Sequence, residues 1–372
     1  MKITKVEPFH LEWGGKGEGN AARGAMVRIE IEDGTFGLGE ASPMEGGDVP
    51  LFVIAKHMAP FLVGKDLLDH EVLQEQLWHK LVKLGPDYSV TAALAAVDIA
   101  CWDAKGKALG QPVHKLLGGA WRTKMSCYAS IGQNAWCDVD ETCRRVEKRV
   151  AKEKVKAVKI RFDPDRTKVD ADIPNDIAKA RAVRRLLGDD FILGFDGNNG
   201  YSVGGAMRVG RVLEELGYTW FEEPVQHYHV AAMGEVAQRL DITVSAGEQS
   251  YSLQQVKDLI NAGVRMVQPD PVKMGGISGL RQCAALCHAH GVELVPHQTQ
   301  PSIGHLANMQ IMATVMHLAK PVEINSGWER AGAIFKNSSE PVDGIVTLPT
   351  GPGLGAEYDA AELERRTIPF RL

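Results

Sequence analysis

The chain has no long apolar run, no basic tract and no closely paired cysteines, and each absence removes a class of function. No stretch of its 372 residues approaches the roughly 18 uninterrupted apolar residues of a membrane helix. The opening MKITKVEPFHLEW holds no apolar signal core, so the expected location is the cytoplasm. Lysine and arginine number 42 against 47 aspartates and glutamates, for a net charge of −5, and nowhere do the cations form a tract of the kind that follows a phosphate backbone. No membrane and no nucleic acid is expected as a partner. The six cysteines (Cys101, Cys127, Cys137, Cys143, Cys283 and Cys287) form no CxxC pair, and several lie in apolar or helical stretches where a reduced thiol acts as a small hydrophobe. Disulfides are not expected.

What is present is a rhythm. Asp196 closes the strand-like run FILGFD, Glu222 closes YTWFE, Glu248 ITVSAGE, Asp270 VRMVQPD, His297 VELVPH and Glu323 KPVE, at intervals of 26, 26, 22, 27 and 26 residues. That interval suits one strand, one helix and two loops, and β/α barrels carry their chemistry at the carboxyl ends of their strands. One repeat shows the local grammar: Ser252 as N-cap, Val256, Leu259 and Ile260 at helical spacing, Gly263 as the stop, then the next strand. With KMSCYAS and VKAVKIRF the strands number eight, and the intervening helices require parallel pairing and right-handed crossovers. Before Gly118-Gly119 the texture differs. Residues 3–12 and 25–32 read as antiparallel strands, the latter ending at the turn Asp33-Gly34, and residues 51–105 read as helical, closing with an alanine-rich stretch that is apolar around most of its circumference. The first 120 or so residues are an α+β unit, and 44% hydrophobic content is ample for that unit and a barrel together.

Asp196, Glu222 and Glu248 fall on three consecutive strands, so their carboxylates converge. Without a counter-charge they would repel one another and raise each other's pKa, and a hard divalent cation resolves this. All-oxygen ligation suits Mg²⁺ better than Zn²⁺, which favours nitrogen and sulfur. Asp270 and His297 end the next two strands; a carboxylate on one imidazole nitrogen fixes the tautomer and raises the basicity of the other, a general-base arrangement. On the opposite wall Lys159 and Arg161 are two apart on one strand and so share a face, where both should point inward, holding a substrate carboxylate and stabilising charge that develops after proton abstraction. Arg161 is a poor base, because guanidinium stays protonated.

The motifs WFEEP, SAGE, QPD followed by GG, PHQTQ, the Lys-x-Arg strand end and AVDIACWDAKGKALGQPVHKLLGG together resemble the enolase superfamily, mandelate racemase subgroup, over essentially the whole chain. The resemblance implies an α/β fold with an N-terminal α+β capping domain (1–123), a modified TIM barrel of (β/α)7β form (124–348) and a C-terminal segment (349–372) that packs back on the cap. It implies one Mg²⁺ per subunit on Asp196, Glu222 and Glu248, with Asp270 and His297 as the dyad. Lys159 would contact the substrate carboxylate, and Glu323 would hydrogen-bond the developing enediolate opposite the metal. A small-molecule carboxylate substrate and a homo-oligomer are expected. Racemising members carry Lys-x-Lys, whose second lysine serves one face of the substrate; Arg161 stands there instead. One base suffices for β-elimination, so the expectation is dehydration of a sugar acid to a 2-keto-3-deoxy acid. Its rivals are an epimerase or lactone cycloisomerase acting through the same enediolate, and a non-catalytic metal-binding relative.

Specificity in such enzymes is assigned to loops of the N-terminal unit, here residues 13–24 and 42–50. The first is glycine-rich but lacks the Gly-Lys-Ser/Thr ending and following helix of a phosphate cradle, so a lid is the preferred reading. Lys16, Arg23, Asn198 and His227 are the candidate substrate-binding residues, with solvated loop charge the alternative for the first two. His229 stands beside His227 as an exposed histidine or a binding group. Cys283, Cys287, His288 and His290 crowd one segment but read as helix packing rather than a zinc site. Lys273 either reaches the mouth or caps a loop.

Overall fold

The computed structural model describes residues 1–13, 23–43, 47–165, 167–298, 300, 302–324, 334–337 and 340–372. Three antiparallel strands, β1 (Ile3–Glu12), β2 (Arg23–Ile31) and β3 (Phe36–Ala41), form a sheet whose outer edge is extended from the far end of the chain by β13 (Thr367–Pro369), so that the order is β13-β1-β2-β3. The reversal between β2 and β3 falls at Asp33-Gly34, where Gly34 takes φ +84°, a conformation glycine reaches without steric cost. The stretch from residue 51 is helical only in pieces. His70–Leu81 and Thr91–Ala108 are separate helices, because Gly85 at φ +96° and the extended Asp87 interrupt the run.

Helix Thr91–Ala108 is buried along nearly its whole length, and its alanines are what let it lie so deep. Strand β3 turns Gly37 and Gly39 toward it; a Cβ at either position would collide with the backbone of Ala96, Ala100 or Ala104. Strand and helix are therefore pressed backbone to backbone, which fixes the residues between those glycines.

The second sheet holds eight parallel strands: β4 (Lys124–Ile131), β5 (Ala157–Arg161), β6 (Ile192–Asp196), β7 (Trp220–Glu222), β8 (Thr243–Ala246), β9 (Met266–Val267), β10 (Glu293–Leu294) and β11 (Val322–Ile324). They are ordered β10-β9-β8-β7-β6-β5-β4-β11, and the antiparallel β12 (Ile345–Thr347) adds to β4. β10 and β11, the ends of that order, are tied by the Gln298 amide donating to Glu323 Oε2 at 2.9 Å. Asp138, Asp172, Ser202 and Ser252 cap the N-termini of the helices between the strands through side-chain oxygens, and Gly263 at φ +116° ends the helix that Ser252 begins, as its sequence indicated. Apolar side chains of strands and helices form the main core, while Tyr128, Ala157, Trp220, Met266 and Val295 form a smaller cluster of their own. No helix among the described residues is long and apolar enough to cross a membrane.

Candidate active site

In-register parallel strands bring equivalent ends together. Arg161 pairs with Asp196 and Asp196 with Glu222 across β5, β6 and β7, and Glu248 lies two residues beyond β8. The consequence is a knot of three buried carboxylates, Asp196, Glu222 and Glu248, each with an oxygen within 4.8 Å of the others, the one such group found among the described residues. Glu222 is held from behind, its Oε2 accepting from Gln268 Nε2 at 2.9 Å and Trp220 Nε1 at 3.2 Å. Asp196 Oδ1 takes the Asn198 amide at 2.8 Å, which is why Asn198 sits at φ +44°, while buried Asp196 Oδ2 has no hydrogen-bond partner. Burial first, then the charges of Glu222 and Glu248, push the Asp196 carboxyl well above its usual range in spite of Lys159 and Arg161.

Lys159 is wholly buried inside the barrel, its Nζ 2.6 Å from Glu222 Oε1, 3.1 Å from Glu323 Oε1 and 3.6 Å from Asp196 Oδ2. Burial would lower its pKa, but those carboxylates outweigh burial and raise it. Glu323 moves the other way: burial would raise it, and Lys159, His297 and the Gln298 amide hold it below the usual carboxylate range. Arg161, a quarter exposed, is tied to its neighbour Asp163. Its Nε bonds Asp163 at 3.0 Å, and Asp163 also accepts from the Gln133 amide at 2.6 Å. Against the cost of burial, Asp163 and the more distant Asp196 and Glu248 keep it firmly protonated.

His297 Nδ1 lies 2.7 Å from Asp270 Oδ2, and its Nε2 lies 3.1 Å from Glu248 Oε2. The second oxygen of Asp270 accepts the Val272 amide at 2.9 Å, so the carboxylate cannot turn away. Burial alone would lower the imidazole pKa; Glu248, Asp270 and Glu323 reverse that and raise it. The His297–Asp270 pair and the three-carboxylate cluster are thus contiguous, and Lys273, buried, donates to the Glu248 carbonyl at 3.0 Å behind them. That acceptor is a backbone carbonyl two residues beyond β8, so Lys273 both lies at the mouth and ties down a loop.

The substrate-binding candidates are less concentrated. Asn198 is buried beside Asp196, but Arg23 is exposed at the start of β2, and Lys16 lies outside the described residues, as does most of the segment 13–24. His227 is half-buried, and its amide donates to Asn199 Oδ1 at 2.6 Å. Asn199 in turn bonds Glu223, whose carboxyl is pushed up to about 8 by burial and by Glu248. Asn199 and Glu223 form a second layer at the mouth that spacing alone did not mark. Cys283 and Cys287 face each other in the core at 3.8 Å.

Comparison with known proteins shows the family. Residues 2–118 match the family model of the mandelate racemase / muconate lactonizing enzyme N-terminal domain, and residues 141–362 match that of the enolase C-terminal domain-like family. The chain belongs to the mandelate racemase/muconate lactonizing enzyme family of the enolase superfamily, and it is an enzyme. It is 62% identical to a mandelate racemase/muconate lactonizing protein from Paracoccus denitrificans, solved in complex with magnesium, with a TM-score of 0.95 over 99% of both chains. It is 31% identical to D-galactarolactone cycloisomerase of Agrobacterium fabrum, over 92% of this chain and 91% of that one. It is also 30% identical to arabinonate dehydratase of Saccharolobus solfataricus, over 88% and 86%.

Proposed function

We propose that this enzyme is a Mg²⁺-dependent dehydratase of a sugar acid, an aldonate or aldarate, that forms a 2-keto-3-deoxy acid. The observation that carries the reading is one-sidedness. A histidine oriented by a carboxylate stands on one wall, and among the described residues the facing wall offers no ordinary base, only buried Lys159 among three carboxylates and Arg161 bonded to Asp163.

Asp196, Glu222 and Glu248 are the residues that would hold the cation. The donor set fits Mg²⁺: three carboxylates with no nitrogen or sulfur, in a buried cluster where Asp196 Oδ2 lacks a partner. When bound, it supplies positive charge where the substrate carboxylate becomes electron-rich. The chain's own groups do the proton work. Asp270 accepts from Nδ1 of His297, leaving Nε2 to take the proton α to the substrate carboxylate. The electron pair of that C–H bond moves toward the carboxylate, giving an enediolate whose charge Lys159 faces and Glu323 borders. Collapse of the enediolate then breaks the β C–O bond; the departing hydroxide takes a proton, which His297 returns when the group lies on its own side, and the enol left behind tautomerises to the ketone. Arg161 and Asn198 would bind the remaining hydroxyls or a second carboxylate.

A second reading has support in the cycloisomerases among the relatives, since isomerisation shares the first step and differs only in the fate of the enediolate. A screen of acid sugars with Mg²⁺ separates the two. Appearance of 2-keto product is expected; solvent deuterium entering recovered substrate without keto product would replace dehydration by isomerisation.

A further inference from the structure

Glu40 is a fully buried carboxylate for which the proposed chemistry has no use. It lies in β3 between Gly39 and Ala41, in the strand pressed against helix Thr91–Ala108, so its backbone has little freedom. Its side chain leaves the N-terminal sheet and reaches a helix that follows β10. Oε2 accepts from Ser302 Oγ at 2.7 Å and from the Gly304 amide at 2.8 Å. Those donors open the helix Ile303–Met312, whose own N-cap side chain makes no capping bond. A carboxylate from another domain thus does the capping, where the helix dipole favours negative charge. Ser302, at this helix start, is five residues after His297 in the chain. Two residues beyond Glu40, the Ser42 amide donates to the Val272 carbonyl at 3.1 Å, and the Val272 amide is the group that holds Asp270. One strand end of the N-terminal sheet therefore grips the chain just beyond both members of the dyad.

We infer that Glu40 is a positioning residue for the His297–Asp270 pair, setting the histidine loop from the neighbouring domain so that the base is aligned only when that domain is seated. This rests on the reading of His297 as the base. Burial pushes the Glu40 carboxyl up to about 7 against the bonds from Gly304 and Ser302. A glutamine keeps an oxygen for the same two donors, whereas an alanine removes it.

The test compares Mg²⁺-loaded wild type, Glu40→Ala, Glu40→Gln and His297→Asn. One readout is the downfield proton resonance of the His297–Asp270 hydrogen bond, which His297→Asn should delete. The other is deuterium incorporation at the α-carbon of whichever library acid the wild type exchanges fastest. Glu40→Ala should broaden or shift the resonance and lower the exchange kcat about 10- to 100-fold with little change in KM, the size of effect that follows from a misplaced catalytic group. Glu40→Gln should restore most of both. Should Glu40→Ala fail to fold, Ser302→Ala removes one of the two donors and should lower kcat by a smaller factor in the same pattern. Wild-type resonance and exchange in Glu40→Ala, beside an inactive His297→Asn, would overturn the role of Glu40 alone. Full exchange in His297→Asn would overturn the dyad and this inference with it.

Discussion

Two buried polar clusters in this molecule meet the same problem in opposite ways. At the barrel mouth, Lys159, Glu222, Glu323, Glu248 and His297 are packed so that charge faces charge, and the shifts of Lys159, His297, Glu248 and Glu323 all favour the ionised form. At the contact between helices Thr91–Ala108 and Gly276–His290, Asp98 accepts from Ser278 Oγ at 2.6 Å and from the Ser278 amide at 2.9 Å, and Trp102 Nε1 donates to the same hydroxyl at 2.9 Å. There burial wins. It drives Asp98 up to about 7, and, with help from Lys105 and Arg281, drives His70, whose Nε2 is 3.7 Å from Asp98, down to about 3. The helix contact is held by groups that shed charge; the mouth keeps charge that does not all cancel, as the raised Asp196 shows. Retained buried charge is poor for stability and useful for binding a cation and an anion together.

If that division is right, the largest effect comes from the mouth. His297→Asn should reduce turnover and α-proton exchange by about 10²- to 10⁴-fold, the range for losing a general base, with Mg²⁺ affinity retained by calorimetry; full activity would remove His297 from the mechanism. Lys159→Met should next cost about 3–5 kcal/mol of unfolding free energy by urea titration of metal-free protein, because it strands buried carboxylates. Added Mg²⁺ should shrink that loss, and a variant as stable as wild type without metal would mean the mouth is not held by charge. Ser278→Ala should cost about 1–3 kcal/mol, as expected when a buried acceptor, Asp98, and a buried donor, the Trp102 indole, each lose a partner, yet leave kcat per folded molecule unchanged; a fall in kcat would tie the helix contact to the chemistry.

The smallest effect is in pH. Asp98 ordinarily titrates near 3.8 and near 7 when folded, so the folded state binds the extra proton, and stability from this group falls as pH rises from about 4 to about 7. Glu40, also near 7, acts in the same sense. His70, ordinarily near 6.5 and near 3 when folded, binds fewer protons folded, so its contribution is lost as pH falls from about 6.5 to about 3. The slopes oppose across the shared window. His70→Gln should therefore make melting temperature decline more steeply between pH 4 and 7 than in wild type; an unchanged slope would show that His70 is not held neutral.

The residues at the mouth were legible in the sequence because a barrel repeats: spacing alone aligned Asp196, Glu222, Glu248, Asp270, His297 and Glu323 at strand ends. Their supports were not. Glu40 reads as one polar residue in a strand, and its partners are 262 and 264 positions away. Asp98 reads as one polar position on a buried helix, and Ser278 is 180 residues distant. Period two puts Lys159 and Arg161 on one face; it cannot show that Asp163, two residues on, takes the guanidinium as its partner. Pattern reports where the backbone goes, whereas the contacts that set a side chain's aim come from elements brought together only by the fold.

The ladders of the barrel differ in length around its circumference. β5 and β6 share five register pairs, while β9 and β10, which lead to Asp270 and His297, share two. The Lys159 wall is thus the more fully laddered side, and the His297–Asp270 pair hangs from the shorter ladders. An enzyme built this way borrows its tolerance from a neighbouring part, as a hinged door borrows alignment from its frame. Truncating or grafting the N-terminal sheet would then disturb the alignment of the His297–Asp270 pair.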